Sequence, residues 1–285
     1  MKLHALALFL AVGAALVHPD AVHSQDGEPA YLAIRDVPRG TIHEHPYRSA
    51  SLGSEREVFV YTPPDYETST DRYPVLYLLH GAGSDQSSWT ARGQAHVILD
   101  NLIADGKLEP LVVVMPYGYA FPRAPGAGRG DPAENKMQRE GFNRDLLGDV
   151  IPLIEATYRV LTDREHRAIA GLSLGGAQAL ALGLSHPDLF GRVAGFSSAL
   201  GAVASPEVGG VDWDTVLADP DAVNALLDVL WIGCGTEDGL FESNREFSNT
   251  LTAMGIEHTF RVTRGGHTYD VWQRYLFEAA PLLFP

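Results

Sequence analysis

The sequence predicts an α/β protein: a mostly parallel central sheet with helices on both faces. Three observations carry that expectation. Short apolar runs such as YPVLYLLHG (73–81) and LEPLVVVMPYG (108–118) are continuous rather than alternating, as strands buried on both faces require. Helically spaced segments such as HVILDNLIADGK (96–107) lie between them. The stretch AIAGLSLGGAQALALGL (168–184) leaves a strand, crosses a glycine-rich turn and enters a helix within a few residues.

The remaining elements follow in chain order. EREVFVYTPPDY (55–66) alternates as an edge-type strand and stops at its prolines. FNRDLLGDVIPLIEATYRV (142–160) is helical, with a kink expected at Pro152. Strand HRAIAG, the alanine-rich helix, strand RVAGFSS (192–198) and strand DVLWIGCG (228–235) come next. Helix ESNREFSNTLTAMG (242–255), strand HTFRVT (258–263) and a closing helix from about Tyr269 complete the alternation. Two segments interrupt it, 120–141 and 200–221, both rich in Gly, Pro and charge. They read as long loops at the carboxyl ends of strands, where open α/β sheets bind ligands.

Composition narrows the function classes. The 285 residues hold 21 Lys+Arg against 36 Asp+Glu, a formal charge of −15. Without a basic cluster, that balance opposes nucleic acid and anionic membrane surfaces as partners. The N-terminal MKLHALALFLAVGAALVHPDAVHSQDGEPA has one lysine, an apolar run of secretory length, then small and polar residues. It reads as a signal peptide over 1–24, cut after Ser24 with Val22 and Ser24 at the −3 and −1 positions. A linker over 25–37 and a single domain over 38–285 follow, in a secreted or periplasmic protein. The single cysteine, Cys234, permits no intrachain disulfide and reads as a buried strand thiol. The pair His43 and His45 has the spacing of a partial metal site but no third ligand nearby, so no metal or other cofactor is expected.

The glycine-rich turn has a chemical reading. Gly-x-Ser-x-Gly between a strand and a helix places a serine on a tight turn at the sheet's carboxyl edge, with the next helix N-terminus aimed at it. Ser173 is the candidate nucleophile. A serine hydroxyl needs a base, and in this arrangement the chain order is serine, acid, histidine. His186 leaves a helix and His258 opens a strand, whereas His267 sits in RGGHTYDVW between the last strand and last helix. His267 is therefore the candidate base. The acid follows strand VLWIGC, where GTEDGLF offers Asp238, with Glu237 as runner-up; Asp212 and Asp214 belong to an earlier irregular segment. The oxyanion needs two preorganised N–H groups. Leu174, next to the serine, supplies one, and Ala82 in HGAGSD supplies the other. His80 reads as a hydrogen-bonded structural histidine, and Trp89 and Trp272 are candidates for lining a substrate pocket or for core.

Together YPVLYLLHGAGSDQSSW, ILDNLIADGKLEPLVVVMP, LTDREHRAIAGLSLGG, IGCGTED and GGHTYDVW resemble carbohydrate esterase family 1, which includes the feruloyl esterase domains of bacterial xylanases. The resemblance runs from about residue 38 to the end. It implies the α/β-hydrolase fold and a triad of Ser173, Asp238 and His267, with oxyanion donors at the amides of Ala82 and Leu174. It also implies hydrolysis of a small-molecule or oligosaccharide carboxylic ester through an acyl-serine. Feruloyl or related plant-polysaccharide esters are the expected substrates. The wider group leaves acetylxylan and siderophore esters, acyl transfer to a sugar, and a non-catalytic binding role as alternatives. The segments at 120–141 and 200–221 match no one subfamily, and Arg123 and Arg129 in the first are candidates for a local basic patch. No carbohydrate-binding module or dockerin is visible, so action on insoluble polysaccharide is not implied.

Overall fold

The computed structural model describes residue 27, residues 29–123 and residues 130–285. The expected signal peptide over 1–24 and Arg129 lie outside the described residues. Strands β1 (Thr41–Ser49), β2 (Ser54–Thr62), β3 (Val75–Leu79), β4 (Val112–Pro116), β5 (Arg167–Leu172), β6 (Arg192–Phe196), β7 (Val229–Gly235) and β8 (Thr259–Thr263) form one sheet. It has eight strands in the order β1-β2-β4-β3-β5-β6-β7-β8. β1/β2 and β2/β4 pair antiparallel, and every pair from β4/β3 to β7/β8 is parallel. The continuous apolar runs are thus the parallel interior, with β3, β4 and β5 buried along their whole length.

The helices are α1 (Ser88–Ala91), α2 (Ala95–Ala104), α3 (Pro132–Asp145), α4 (Ile151–Thr157), α5 (Leu174–Ser185), α6 (Trp213–Val216), α7 (Pro220–Leu226), α8 (Phe241–Met254) and α9 (Tyr269–Leu283). They cover both faces because successive strand side chains point to opposite sides. On β3, Val75, Tyr77 and Leu79 join a core with Phe142, Ile154, Leu180 and Leu251. Leu76 and Leu78 join a second core with Ile98, Leu102, Tyr275 and Leu276. Burying one such side chain contributes on the order of 1.5–3 kcal/mol, so the two cores together fix the sheet's register.

Four expectations need correction. EREVFVYTPPDY is not an edge strand, because β1 lies outside β2. Its alternation reflects one core face, with Val58 and Val60 fully buried, and one less covered face, which an interior antiparallel strand also shows. The segment 120–141 is not one long loop, since α3 starts at Pro132. Asp131 caps that helix by accepting from the Glu134 amide at 2.9 Å, and Pro132 occupies its first turn. The segment 200–221 is likewise broken by short turns of helix at Leu200–Val203, Pro206–Val208 and α6. At Pro152 the irregularity falls one turn early. Leu146–Val150 is a π turn joining α3 to α4, with the Ile151 amide donating to the Leu146 carbonyl.

Two further features hold the site's frame. Asp145, fully buried at the end of α3, accepts from Arg56 Nε at 3.0 Å and from the Tyr47 hydroxyl at 2.8 Å. The same Arg56 guanidinium donates to the carbonyls of Tyr117, Tyr119 and Ala120, tying the chain after β4 to β2. Within the segment read as a linker, Tyr31 stacks on Phe277 at 4.8 Å and Asn101 donates to the Tyr31 and Ala33 carbonyls. No helix among the described residues is long and apolar enough to cross a membrane.

Candidate active site

The turn after β5 explains its glycines by contact. A Cβ on Gly171 would lie 2.5 Å from the Gly175 backbone, and one on Gly175 would lie 2.4 Å from the His80 carbonyl oxygen. Strand and helix approach so closely that only hydrogen fits at either position. Ser173 between them has φ +55°, left-handed backbone that a non-glycine residue adopts at a cost on the order of 1–3 kcal/mol. The turn is held by Ser173 N–H donating to the Phe196 carbonyl at 2.8 Å. The amides of Ala177 and Ala199 donate back to the Ser173 carbonyl at 3.1 and 2.9 Å.

The parallel strands deliver the other predicted groups to the same edge. His267, after β8, places Nε2 2.9 Å from Ser173 Oγ and Nδ1 2.8 Å from Asp238 Oδ2. Asp238, after β7, accepts the Leu240 amide on its other oxygen at 2.8 Å. Its side chain is 1% exposed, whereas that of His267 is 39% exposed. Burial pushes the Asp238 carboxyl up, but hydrogen bonds from His267, the Leu240 amide and Ser197 outweigh it and hold it below the usual carboxylate range. An ionised Asp238 accepts from Nδ1–H, which leaves the Nε2 lone pair for the Ser173 proton. Trp272 meets the His267 ring edge-on at 4.8 Å between centroids and limits its swing.

Leu174 opens α5, so its amide is one of the N–H groups a helix N-terminus leaves without an internal acceptor. Ala82 lies in the turn after β3, and among the described residues neither amide donates to a backbone carbonyl. The peptides around Ala82 are pinned. His80 Nδ1 donates to the Gly81 carbonyl at 2.8 Å, and the Gly83 amide donates to the Tyr119 hydroxyl at 3.1 Å. His80 Nε2 accepts the Gly118 amide at 2.9 Å, and Gln178 of α5 donates to the Gly118 carbonyl at 3.0 Å. Burial lowers the His80 pKa to about 4, so the ring stays neutral and one tautomer fits both contacts.

The other candidates lie elsewhere. Trp89 does not line a pocket: it is fully buried, its Nε1 donates to the Leu79 carbonyl at 3.0 Å, and it packs against Phe196 and Tyr269. Glu237 faces solvent opposite Arg264. His258 bonds Ser248, and Asp212 accepts from the Thr215 hydroxyl. His43 contacts Thr62, and His45 contacts the Tyr158 hydroxyl. Arg123 pairs with Glu134 and lies over the Tyr119 ring. Burial, with the Asp238 charge nearby, pushes the Cys234 thiol up to about 12, far from any nucleophilic role. Sequence reasoning missed Ser197. It is fully buried with φ +47° and supports Asp238 from the end of β6, yet nothing in GFSS separates it from Ser198.

A family model described as "Putative esterase" matches residues 49–283. An endo-1,4-beta-xylanase/feruloyl esterase of Xylanibacter ruminicola is 32% identical over 89% of this chain and 33% of its own length. A solved ferulic acid esterase is 28% identical with a TM-score of 0.74, covering 86% of this chain and 98% of that one. The CE1 ferulic acid esterase of the anaerobic fungus Anaeromyces mucronatus is 27% identical with a TM-score of 0.72, covering 87% and 92%. The chain spans only 33–56% of the length of the first curated relatives it matches. With its sheet order, its strand-edge site and these matches taken together, the chain belongs to this esterase family and has the α/β-hydrolase fold of the solved ferulic acid esterases.

Proposed function

We propose that the chain is a serine esterase acting through Ser173, His267 and Asp238, with hydroxycinnamoyl esters such as feruloyl esters as its substrates. The observation that carries the chemistry is the hydrogen-bonded chain from Ser173 Oγ through His267 to Asp238, 2.9 and 2.8 Å per link. His267 Nε2 takes the Ser173 proton as Oγ attacks the ester carbonyl, and Asp238 stabilises the imidazolium. The amides of Ala82 and Leu174 hold the oxyanion. Imidazolium Nε2–H then protonates the leaving alcohol, and the same imidazole deprotonates water to release the acid from Ser173.

The ferulate reading is supported by the named activities of the relatives and solved structures above. Phe121 and Met137, exposed at 39% and 50% in the segment after β4, are the apolar groups this reading assigns to the aromatic acyl group. The same reading includes export, with the leader removed after Ser24 and residues 38–285 as the catalytic unit; the apolar N-terminal run supports it. N-terminal sequencing of the protein recovered from the medium or periplasm checks that part, and a start at Met1 would refute it.

A parallel panel tests the substrate: methyl ferulate, acetylated xylan, a triserine-type siderophore ester and short p-nitrophenyl esters. Ferulate is expected to give the highest kcat/KM. A value about tenfold or more below that for acetyl or siderophore esters rejects the feruloyl assignment and leaves the serine mechanism standing. A sugar ester forming faster than free acid in excess sugar would instead identify a transferase.

A further inference from the structure

Between α3, α5 and the chain at 203–211 lies a cavity of about 110 Å³, whose lining includes none of Ser173, Asp238 and His267. Arg139 and Asn143, one turn apart on α3, line it opposite Ser185 and His186 at the far end of α5; Gln178 and Val203 complete the wall. The volume is that of roughly four waters at about 30 Å³ each, which suits a small polyatomic ion.

Its polar groups are only partly satisfied. Arg139 donates to the Val208 carbonyl and meets no carboxylate among the described residues. The Ser185 hydroxyl is buried without a hydrogen-bond partner, whereas Gln178 spends its amide N–H on the Gly118 carbonyl and takes no part in holding an anion. No carboxylate stands among the lining residues, in a chain whose formal charge is −15. A half-buried guanidinium facing donor-capable Asn, Ser and His side chains creates a demand for negative charge that the protein leaves unmet. Burial also lowers the Arg139 pKa, the response of a cation lacking a counter-charge.

We propose that this cavity is a binding site for a small oxyanion no larger than phosphate, seated on Arg139 and bridged to the Ser185 end of α5. The ligand would join α3 to the chain at 203–211, accepting from Arg139 and from the Ser185 hydroxyl, a lining donor left without an acceptor. The site belongs to no step of the ester chemistry and stands whether or not that chemistry is as proposed.

Calorimetric titration and thermal melting with potassium phosphate, sodium sulfate and sodium acetate, each matched in ionic strength with potassium chloride, test it. Saturable binding is expected for at least one of these ions, with a rise in Tm beyond the chloride control. Arg139→Gln should weaken that binding at least about tenfold, the loss expected for a charge-assisted hydrogen bond. Ser185→Ala is the more telling variant, because removing an unpartnered buried hydroxyl should leave the ion-free Tm unchanged or raised while still weakening binding. Both variants should keep wild-type turnover of an aryl ester. No saturable binding by the wild type up to about 50 mM, a concentration that would still reveal millimolar sites, overturns the proposal. Equal binding by wild type and Ser185→Ala, with Arg139→Gln also unchanged, overturns it as well.

Discussion

His80 carries a sharp prediction because one buried ring makes two contacts of opposite polarity. Nδ1–H donates to the Gly81 carbonyl while the Nε2 lone pair accepts the Gly118 amide. A proton on Nε2 would face that amide's own proton, and burial already lowers the pKa from 6.5 to about 4. Between those two values the unfolded chain binds a proton that the folded chain refuses, so stability falls as pH falls. At 1.36 kcal/mol per pH unit, the difference accumulates to about 3 kcal/mol by pH 4. In His80→Gln this group no longer titrates, and the Gly81 carbonyl keeps only the Ser84 amide at 3.3 Å. The variant should be less stable at pH 7 by about 1–2 kcal/mol. In urea melts from pH 7 to 4.5 the difference should move by about 2–3 kcal/mol in the variant's favour, so that its disadvantage vanishes or reverses. Freed from this contact, the peptide presenting Ala82 N–H should also lower kcat by about 10- to 100-fold with KM little changed, short of losing the donor outright. Parallel pH dependences would refute the reasoning about the ring, and an unchanged kcat would refute its hold on Ala82.

Other expectations follow from single contacts. Asp238→Asn should fold normally yet lose about 10⁴ in kcat, because an amide no longer fixes the Nδ1–H tautomer; steady-state kinetics with matched circular dichroism checks it. The carboxyl of Asp238 is held low, so the stability from its bonds is full above its ordinary pKa of about 3.9 and is lost only as pH falls through the lower folded value. Acid melts of the wild type against Asp238→Asn should therefore differ above about pH 4 and draw together only as pH falls further, through the lower folded value. Gly175→Ala forces a methyl against the His80 carbonyl at 2.4 Å and should cost at least about 1–3 kcal/mol of stability along with activity, read by urea melting. Trp272→Leu removes the edge contact on the His267 ring and should reduce kcat several-fold, about what partial misorientation of a base costs.

Much of the candidate site's geometry was legible because it depends on local rules. A serine between glycines at a strand-to-helix turn has few purposes, and the chain order of acid and base then leaves few positions to consider. The parallel strands were legible too, since burial on both faces writes an uninterrupted apolar run. What escaped was set by tertiary context. Trp89 and Trp272 look alike in sequence, yet one is sealed under the sheet and the other lies against His267. Helix α3 was hidden by a glycine- and proline-rich approach, although Asp131, Pro132 and Glu134 spell a helix start. Ser197 supports Asp238 only because β6 and β7 end side by side, a neighbourhood no local pattern records.

The central claim is that Ser173 is acylated and that His267 and Asp238 make it reactive. Its most direct test is mass spectrometry, intact and after digestion, of the protein quenched during turnover of an aryl ferulate, read beside the turnover of Ser173→Ala. A feruloyl adduct is expected on the peptide containing Ser173, absent from the variant, with a fall in kcat of roughly 10⁶. Hydrolysis by Ser173→Ala within about tenfold of wild type, a change too small for loss of a nucleophile, would contradict it.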